Sequence, residues 1–411
     1  MYLFTAFTIN KLIYYKIIKT ISEVIAMGNI LIFGSFSIRD WDILRQRQQT
    51  IVEFLAQDFN VFYIERISAK NVGIIKTLKA VIKRFFLVRN AEKKGRFTLK
   101  QLYFVQLKIF PIQRGIFRLL NSKLALLQIR NVMKKYKINC FDSIIISHPA
   151  NYVNDIFDKI PTKKNIYDCV QRFEFNEYFP SEVSFNDRNI AKKVDLVIAD
   201  SITIFSEKKD LNKNVVRIPQ GIDLKNYSKN RIDDAGIPDD LTEMGKQRIC
   251  YIGSFHQSFD FDLMKKLAMD IPSATVVLIG NETTEAKEKL NCNNIIFLGW
   301  KHYTALPIYM HHMDLFVIPY LLTEHGKGVF PTKLFEYLFF KKPVVSTALP
   351  DILEYREYLY VTYTNEEFIE IVKDSLFNGR NKLAFIPQEK YDNFIQANSW
   401  ESRYQQFRNY L

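Results

Sequence analysis

Short apolar runs alternate with segments of helical periodicity over most of the chain. The first series begins at Asn29 with NILIFGSF, continues through the helical segment DILRQRQQTIVEFLAQ and reaches a second apolar run, NVFYIE. Further apolar runs follow at 141–149, 164–170, 194–201 and 214–223. Such runs between helical segments are typical of parallel strands that are covered on both faces. The pattern predicts a first α/β domain over residues 27–224.

The same alternation of apolar runs and helical segments begins again after a polar stretch, 225–247. We interpret this stretch as a linker and surface loop. Five apolar runs follow: RICYIGSF, ATVVLIG, NIIFLGW, DLFVIPY and KPVVST. They predict a second α/β domain over residues 248–390. Residues 391–411 predict a closing helix, for which packing against the first domain is one option. A chain of 411 residues can bury two such cores.

The first 26 residues are apolar but are interrupted by Lys11, Lys16 and Lys19. They match neither a signal peptide nor a spanning helix, which needs about 18 consecutive apolar residues. Two interpretations stay open. The segment is either an amphipathic surface helix or an extension ahead of the working start, because Met27 directly precedes a strand.

The net charge of +13 favours anionic partners. Residues 73–96 contain lysines and arginines spaced among apolar residues, which fits either a helix on an anionic membrane surface or a core helix with a solvated basic face. The basic residues do not match a nucleic-acid-binding module. The four cysteines are scattered, which predicts reduced thiols in a cytoplasmic protein and no zinc site.

The stretch GVFPTKLFEYLFFKKPVVST, residues 328–347, places a glycine and a proline before an apolar helix. We expect the helix to begin near Pro331 or Thr332, with Thr332 as a cap. A helix N-terminus favours a phosphate, and Lys333 could reach the same anion. Glu336 could accept hydrogen bonds from two vicinal hydroxyls of a ribose. The alternative is a surface Lys333–Glu336 ion pair.

Residues 331–347 resemble the nucleotide-sugar motif of GT-B glycosyltransferases, in the form P-x-K-L-x-E-Y-L-A-x-G-K-P-V-V-S-T. The resemblance is to the bacterial polysaccharide and teichuronic-acid type enzymes of the family 4 and family 1 group. It extends to the stretches at 40–65, 194–223, 251–268 and 295–320. It implies an α/β fold of two Rossmann-like, doubly wound parallel-sheet domains that face a cleft.

The resemblance also implies the donor contacts. Glu336 would bind the ribose, and Lys333 would hold the diphosphate together with the turn from Gly328 to Thr332. The backbone at Gly253 and Ser254 would approach the phosphates. The sequence departs from the family at Gly328, where many relatives carry a glutamate near the sugar.

Asp168 matches the first acidic position of a family segment, Y-D-x-x-D, whereas Gln171 stands at the second. A reaction that inverts the sugar needs a group to take the proton of the acceptor hydroxyl. The candidates are Asp168, Glu174 and His148. Asp168 could equally cap a turn, and His148 could be a structural histidine.

Asp40, Trp41 and Asp42 follow the first strand and combine an aromatic face with two carboxylates. They could bind a sugar or a lipid-linked acceptor, or they could form an ordinary connection between a strand and a helix. The stretch FDFDL at 259–263 contains an Asp-x-Asp, but Asp260 opens a predicted helix as its cap. We therefore predict no metal site.

The resemblance implies a glycosyltransferase that moves a sugar from a nucleotide-diphosphate sugar to a lipid-linked or oligosaccharide acceptor in bacterial cell-surface polysaccharide synthesis. We expect no cofactor and no nucleic acid, and a peripheral location at the cytoplasmic face of an anionic membrane. The alternatives are a nucleotide-sugar epimerase and a non-catalytic sugar-nucleotide-binding protein on the same fold.

Overall fold

The computed structural model describes a defined part of the chain: residues 27–38, 41, 45–66, 101–110, 112, 114–228, 232, 235–245 and 247–411. The predictions for residues 1–26 and for the basic segment 73–96 lie outside the described residues, as do Asp40 and Asp42.

The first part of the chain forms a parallel sheet with helices between its strands. The strands are β1 (Asn29–Phe33), β2 (Asn60–Ile64), β3 (Leu102–Val105), β4 (Ser143–Ile146), β5 (Asn165–Cys169), β6 (Leu196–Ala199) and β7 (Val215–Arg217). The helices are α1 (Arg47–Asp58), α2 (Gly115–Tyr136), α3 (Asn151–Ile156), α4 (Ser181–Lys193) and α5 (Ile202–Lys209), with 3-10 turns at Phe157–Lys159 and Phe173–Phe175.

These strands lie in the order β3-β2-β1-β4-β5-β6-β7. The registers of β1 with β2 and β4, of β2 with β3, and of β6 with β7 are all parallel. The apolar runs predicted all of these strands except β3, which lies at the edge of the sheet.

The second part of the chain repeats this arrangement. Its strands are β8 (Arg248–Ile252), β9 (Thr275–Ile279), β10 (Ile295–Phe297), β11 (Leu315–Ile318), β12 (Val344–Thr347) and β13 (Tyr360–Thr362). Its helices are α6 (Asp239–Thr242), α7 (Phe261–Asp270), α8 (Thr284–Lys289), α9 (Leu306–His311), α10 (Glu324–Lys327), α11 (Leu334–Phe339), α12 (Asn365–Phe377), α13 (Gln388–Ala397) and α14 (Trp400–Arg408), with 3-10 turns at Ile352–Tyr355 and Lys382–Phe385.

The second sheet has the strand order β10-β9-β8-β11-β12-β13. Its two faces are both buried, as alternate residues of β11 show. Phe316 and Ile318 pack with α11 in one apolar cluster. Leu315 and Val317 pack with α7 and α12 in another. A parallel sheet that is covered on both faces was the arrangement predicted from the continuous apolar runs.

The residues group into two compact units, whose boundary falls within β5. One unit comprises the described residues within Met1–Ile38 and Ile51–Ile166, and the other comprises those within Arg39–Thr50 and Tyr167–Leu411. The second unit therefore contains β6 and β7 together with the whole second sheet. The domain limits expected from the sequence, with a linker at 225–247, stay a prediction. No helix among the described residues is long and apolar enough to span a membrane.

The end of the chain forms two helices, α13 and α14, instead of the single closing helix expected from the sequence. Helix α14 contacts the segment that follows β7. Trp400 donates its backbone N–H to Ile222 O at 3.0 Å, and Ile222 donates to Asn398 O at 3.0 Å. Arg403 Nε donates to Gln220 O at 3.1 Å.

Candidate nucleotide-sugar site

The candidate site lies at the carboxyl ends of β8 and β11. These two strands are neighbours in the second sheet, with β9 on the outer side of β8 and β12 on the outer side of β11. The direction of strand succession therefore reverses between β8 and β11. In open parallel sheets, ligands bind at such a reversal, outside the carboxyl ends of the strands.

Helix α11 begins at Leu334, a few residues later than expected. Lys333 occupies the N-cap position, and no side chain caps the helix, so the expected Thr332 cap is not formed. The apolar residues of α11 are buried in the core beside β11. The Tyr337 hydroxyl accepts a hydrogen bond from Ile252 N at 2.7 Å, which fixes the helix to the end of β8.

The two charged residues of this segment lie away from the core and pair with each other. Lys333 Nζ is 2.8 Å from Glu336 Oε2, and their side chains are 23% and 16% exposed. The Tyr227 hydroxyl donates to the same Oε2 at 2.7 Å. No hydrogen bond is made to Glu336 Oε1 within the described ranges, so this oxygen is available to a ligand.

Tyr227 is a site residue that the sequence did not reveal. Its side chain is 3% exposed, and burial together with the neighbouring Glu336 raises its pKa well above the usual range. The hydroxyl therefore stays protonated and donates to the carboxylate. Tyr227 lies in the stretch that was interpreted as a linker, and only its contact across 109 residues shows its role.

The loop after β8 packs closely against Tyr251 of its own strand and against Gly280, which follows β9. The Tyr251 hydroxyl donates to Ser254 O at 2.8 Å. A Cβ at Gly253 would lie 2.6 Å from that hydroxyl, and a Cβ at Gly280 would lie 2.0 Å from Gly253 O. A side chain at 253 would thus crowd the Tyr251 hydroxyl, and the exposed Ser254 follows at the loop surface.

The glycine at position 328 leaves room for the side chain of Arg172. A Cβ at this position would lie 2.2 Å from Arg172 Cδ and 2.7 Å from Arg172 Cγ. The Arg172 side chain is only 6% exposed and packs over the Phe175 ring, with 4.1 Å from Cζ to the ring centroid. The space beside position 328 is therefore filled by an arginine that the sequence did not single out.

Arg172 connects the loop after β5 to the loop after β11. Its guanidinium contacts the Glu207 carboxylate and both the backbone oxygen and the carboxylate of Glu324. Its Nε atom is buried and has no hydrogen-bond partner in the described part of the chain. Glu324 thus lies near position 328 as an ion-pair partner of Arg172 and of Lys327.

Asp168 is held in a buried ion pair. Arg47 NH2 is 2.9 Å from Asp168 Oδ1, and Arg47 Nε is 3.1 and 3.3 Å from the two carboxylate oxygens. Both residues are 4% exposed. Arg47 NH1 also donates to Ile218 O at 2.7 Å. In this arrangement the Asp168 carboxylate is occupied by the arginine.

The other expected catalytic and acceptor residues lie in different surroundings. Glu174 is half-exposed and pairs with Arg188. His148 lies just after β4 in the first compact unit, where burial and the nearby Arg66 lower its pKa to about 3. Trp41 is 3% exposed, so its ring is not presented to solvent. Their expected roles stay predictions.

Asp260 performs the capping role expected from the sequence. Its carboxylate accepts a hydrogen bond from Leu263 N at 2.8 Å, at the start of α7. No group of three or more histidine, cysteine, aspartate or glutamate side chains within the described ranges could hold a metal ion.

Comparison with known proteins finds similarity to glycosyltransferases. Residues 246–376 match the family described as Glycosyl transferases group 1. The chain is also 26% identical over 244 residues to TuaH of Bacillus subtilis, whose name describes a teichuronic acid biosynthesis glycosyltransferase. That match covers 54% of this chain and only 60% of the length of TuaH.

Solved structures show the same fold. The sucrose-phosphate synthase of Thermosynechococcus elongatus has a TM-score of 0.65 at 12% identity, and the match covers 93% of this chain and 98% of that chain. Anabaena HepE, solved in complex with UDP and glucose, has a TM-score of 0.64 at 15% identity, with the same coverage of both chains. The fold expected from the sequence, that of the GT-B glycosyltransferases, is therefore confirmed.

Proposed function

We propose that this chain, which carries a Glycosyl transferases group 1 domain at residues 246–376 within a GT-B fold, transfers a sugar from a nucleotide-diphosphate sugar. The acceptor in this proposal is a hydroxyl of a lipid-linked or oligosaccharide molecule in bacterial cell-surface polysaccharide synthesis. The observation that carries the proposal is the Glu336 carboxylate, which Tyr227 and Lys333 hold at the reversal point of the second sheet.

The donor half of the proposal follows from the arrangement of the carboxylate oxygens. Tyr227 and Lys333 both contact Oε2, which leaves Oε1 to accept from a ribose hydroxyl. Charge-assisted hydrogen bonds of this kind are stronger than neutral ones. Lys333 can turn its flexible side chain towards the diphosphate, because an ammonium is a compact charge on a four-carbon stem. The turn at Thr332 and the loop at Gly253 and Ser254 are the further residues that we propose to hold the diphosphate.

The likeness to HepE with UDP and glucose supports a UDP-sugar as the first donor to test. The name of TuaH supports a cell-surface polysaccharide as the product class. Asp168, Glu174 and His148 are the proposed proton acceptors, and Trp41 belongs to the proposed acceptor side together with Asp40 and Asp42. The proposal includes no metal ion and a peripheral location at the inner face of the membrane.

Replacement of Glu336 tests the donor site. Glu336→Gln keeps the shape of the side chain but removes the charge that accepts the ribose hydroxyl. We expect the affinity for the bound nucleotide sugar to fall about tenfold or more, because a hydrogen bond to a charged group contributes roughly 1.5–3 kcal/mol. A thermal-shift screen of UDP- and GDP-sugars identifies the donor, and calorimetry in the presence of EDTA measures the affinity.

Glu370→Gln on α12 is the matched control, since Glu370 lies on the exposed surface of that helix. It should bind the donor like the parent protein. If Glu336→Gln also bound the donor as tightly as the parent, the ribose contact would be assigned to the wrong residue.

A further inference from the structure

Helix α2 of the first sheet carries four exposed apolar side chains on one face. Ile116, Leu119, Leu120 and Leu127 are each between 40% and 69% exposed. Leu119 and Leu120 follow Ile116 by three and four residues, and Leu127 follows Leu120 by seven, so all four share one face of the helix. Single exposed leucines are ordinary on a protein surface, whereas an apolar patch indicates an interaction site.

The opposite face of α2 is buried and holds the helix in the first compact unit. Its buried residues are Asn121, Ser122, Ala125, Ile129 and Met133. The Asn121 side chain donates to Phe110 O at 3.0 Å and accepts from Phe110 N at 2.8 Å. Arg118 and Ser122 bond the Asp155 carboxylate on α3 at 2.5 and 2.9 Å. The helix is thus attached along its inner side, and its outer side is left for a partner.

The outer side of α2 is also basic. Leu120, Lys123, Leu127, Arg130 and Lys134 succeed one another at intervals of three or four residues, so the three cations continue the apolar face. All three are exposed, and none forms an ion pair within the described ranges. The helix contains no aspartate or glutamate. The four apolar and three basic residues together form a surface that we call the α2 stripe, and it suits a partner that offers apolar groups beside negative charge.

We propose that the α2 stripe docks on an anionic lipid bilayer. The aliphatic side chains enter the boundary between headgroups and acyl chains, while Lys123, Arg130 and Lys134 bind the lipid phosphates. A helix with aliphatic residues and cations on one side binds a membrane in this way, in the plane of the surface. The inference rests on the peripheral location contained in the proposed function and assigns it a surface, and it does not depend on the transfer of a sugar.

The charges of the chain argue against the other occupants of this face. Residues 67–100, which lie outside the described residues, contain ten lysines and arginines and one glutamate. Residues 1–26 contain three lysines and one glutamate. A second copy that met the α2 stripe about a twofold axis would bring the same cations towards each other. Like charges repel at short range, whereas an anionic bilayer supplies the opposite charge together with acyl chains.

Sedimentation of the full chain with vesicles tests this docking surface. The vesicles consist either of phosphatidylcholine alone or of phosphatidylcholine mixed with phosphatidylglycerol. Leu127→Gln removes one apolar contact, and Arg130→Glu reverses one charge. The matched controls are Met269→Gln and Lys265→Glu, because both side chains are exposed on α7 in the second compact unit.

We expect the parent to bind the anionic vesicles more tightly than the neutral ones, and to lose affinity as the salt concentration rises. Arg130→Glu should bind the anionic vesicles about tenfold more weakly, since one attraction is lost and one repulsion is added. Leu127→Gln should bind about fivefold more weakly, because an aliphatic side chain no longer leaves water. Both controls should bind like the parent, and thermal unfolding should show that all four variants are folded.

A fluorescent side chain reports whether the α2 stripe enters the lipid. In Leu127→Trp, the emission of the new indole should move to shorter wavelength when anionic vesicles are added, and lipids with brominated acyl chains should quench it. Met269→Trp should show neither effect. The parent protein provides the background emission of its own three tryptophans.

Three results would overturn the inference. If Leu127→Gln and Arg130→Glu bound vesicles like the parent, while Lys79→Glu in the basic segment 73–96 lost binding, the membrane contact would lie in that segment. If light scattering showed a parent dimer that Leu127→Gln separated into monomers, the face would be an interface between copies. If the parent bound no vesicles, both the docking surface and the peripheral location would be wrong.

These outcomes differ from a failure of the proposed sugar transfer. Vesicle binding is measured without a nucleotide sugar, so it does not involve the donor site. A failure of the donor assignment would instead appear as a parent protein that binds neither UDP- nor GDP-sugars.

Discussion

At the scale of the single residue, Glu336 depends on neighbours that hold one of its oxygens and leave the other open. Tyr227 is buried and donates to Oε2, and Lys333 contacts the same atom. The carboxylate is thus oriented before a ligand arrives. Orientation by a buried donor is a common way to fix a binding group.

The close approach of Arg172 to Gly328 leads to a prediction about stability. Gly328→Ala should lower the free energy of unfolding by about 1–3 kcal/mol, because the new Cβ would overlap the buried arginine side chain. In an Arg172→Ala background the same replacement should cost much less, since the overlap is gone. Urea unfolding of the four proteins in this double-mutant cycle measures the coupling.

Gly236→Ala is the control for that cycle, because nothing lies within 4 Å of a Cβ built at Gly236. It should change the stability little in either background. If Gly328→Ala lowered the free energy of unfolding by the same amount with and without Arg172, contact with the arginine would not be the reason for glycine at position 328.

The sequence identified some of these residues and not others, for a physical reason. Lys333 and Glu336 lie within one turn of a helix, so a local motif reveals them. Tyr227 and Arg172 reach the site from segments 109 and 152 residues away from their partners Glu336 and Glu324. Contacts of that kind are made by the fold, and no local spacing encodes them.

At the scale of the element, the first residues of α7 are bonded to the segment that follows β11. The Asp260 carboxylate caps α7, and Asp260 N bonds Pro319 O in the strand-to-loop connection after β11. The start of α7 is therefore bonded to the connection after β11 that leads to α10.

Removal of this cap should destabilise the protein. Asp260→Ala should lower the free energy of unfolding by about 1 kcal/mol, since it leaves the Leu263 N–H without its acceptor. Asp262→Ala is the matched control, because Asp262 is an exposed acidic residue in the same first turn that makes no capping bond. Thermal unfolding of both variants measures the difference. A loss no larger than that of Asp262→Ala would contradict the capping role.

Most of the strands were predictable because each is a continuous apolar run. The exceptions are β3 and β13, which both lie at a sheet edge. β3 has one buried residue and three half-buried ones, and β13 has only three residues. Position at an edge is not the reason by itself, because the edge strands β7 and β10 were predicted from their apolar runs. The start of α11 was misplaced because Pro331 and Thr332 form a turn before it.

At the scale of the whole molecule, buried carboxyl groups make the stability depend on pH. Asp200 follows β6 and is 3% exposed, and Asp351 is completely buried. Asp200 Oδ1 and Asp351 Oδ2 have no hydrogen-bond partner within the described ranges. Burial is the main cause that raises the pKa of Asp200 to about 7 and that of Asp351 to about 6.

The sign of this effect follows from proton binding. The folded protein binds the Asp200 proton more tightly than the unfolded chain does. The corresponding stability is fully present below about pH 4 and is lost as the pH rises through about 7. Asp200→Asn should therefore be more stable than the parent at about pH 8, by an amount on the order of a few kcal/mol.

The difference between Asp200→Asn and the parent should shrink towards about pH 5, where the parent carboxyl is protonated. Thermal unfolding across this pH range measures it. Asp210→Asn, at an exposed position after α5, should follow the parent at every pH. A constant difference between Asp200→Asn and the parent across the range would rule out titration of Asp200 as its cause.

The contact of α14 with the segment after β7 joins two parts of the chain that are far apart in the sequence. The last helix lies far along the sequence from Gln220 and Ile222, yet its residues Trp400 and Arg403 bond directly to their backbone. A cut of the peptide chain in the polar stretch between them would leave both pieces connected by these bonds. The segment at Gln220 and Ile222 and the last helix are thus joined in two ways, through the covalent chain and through these hydrogen bonds.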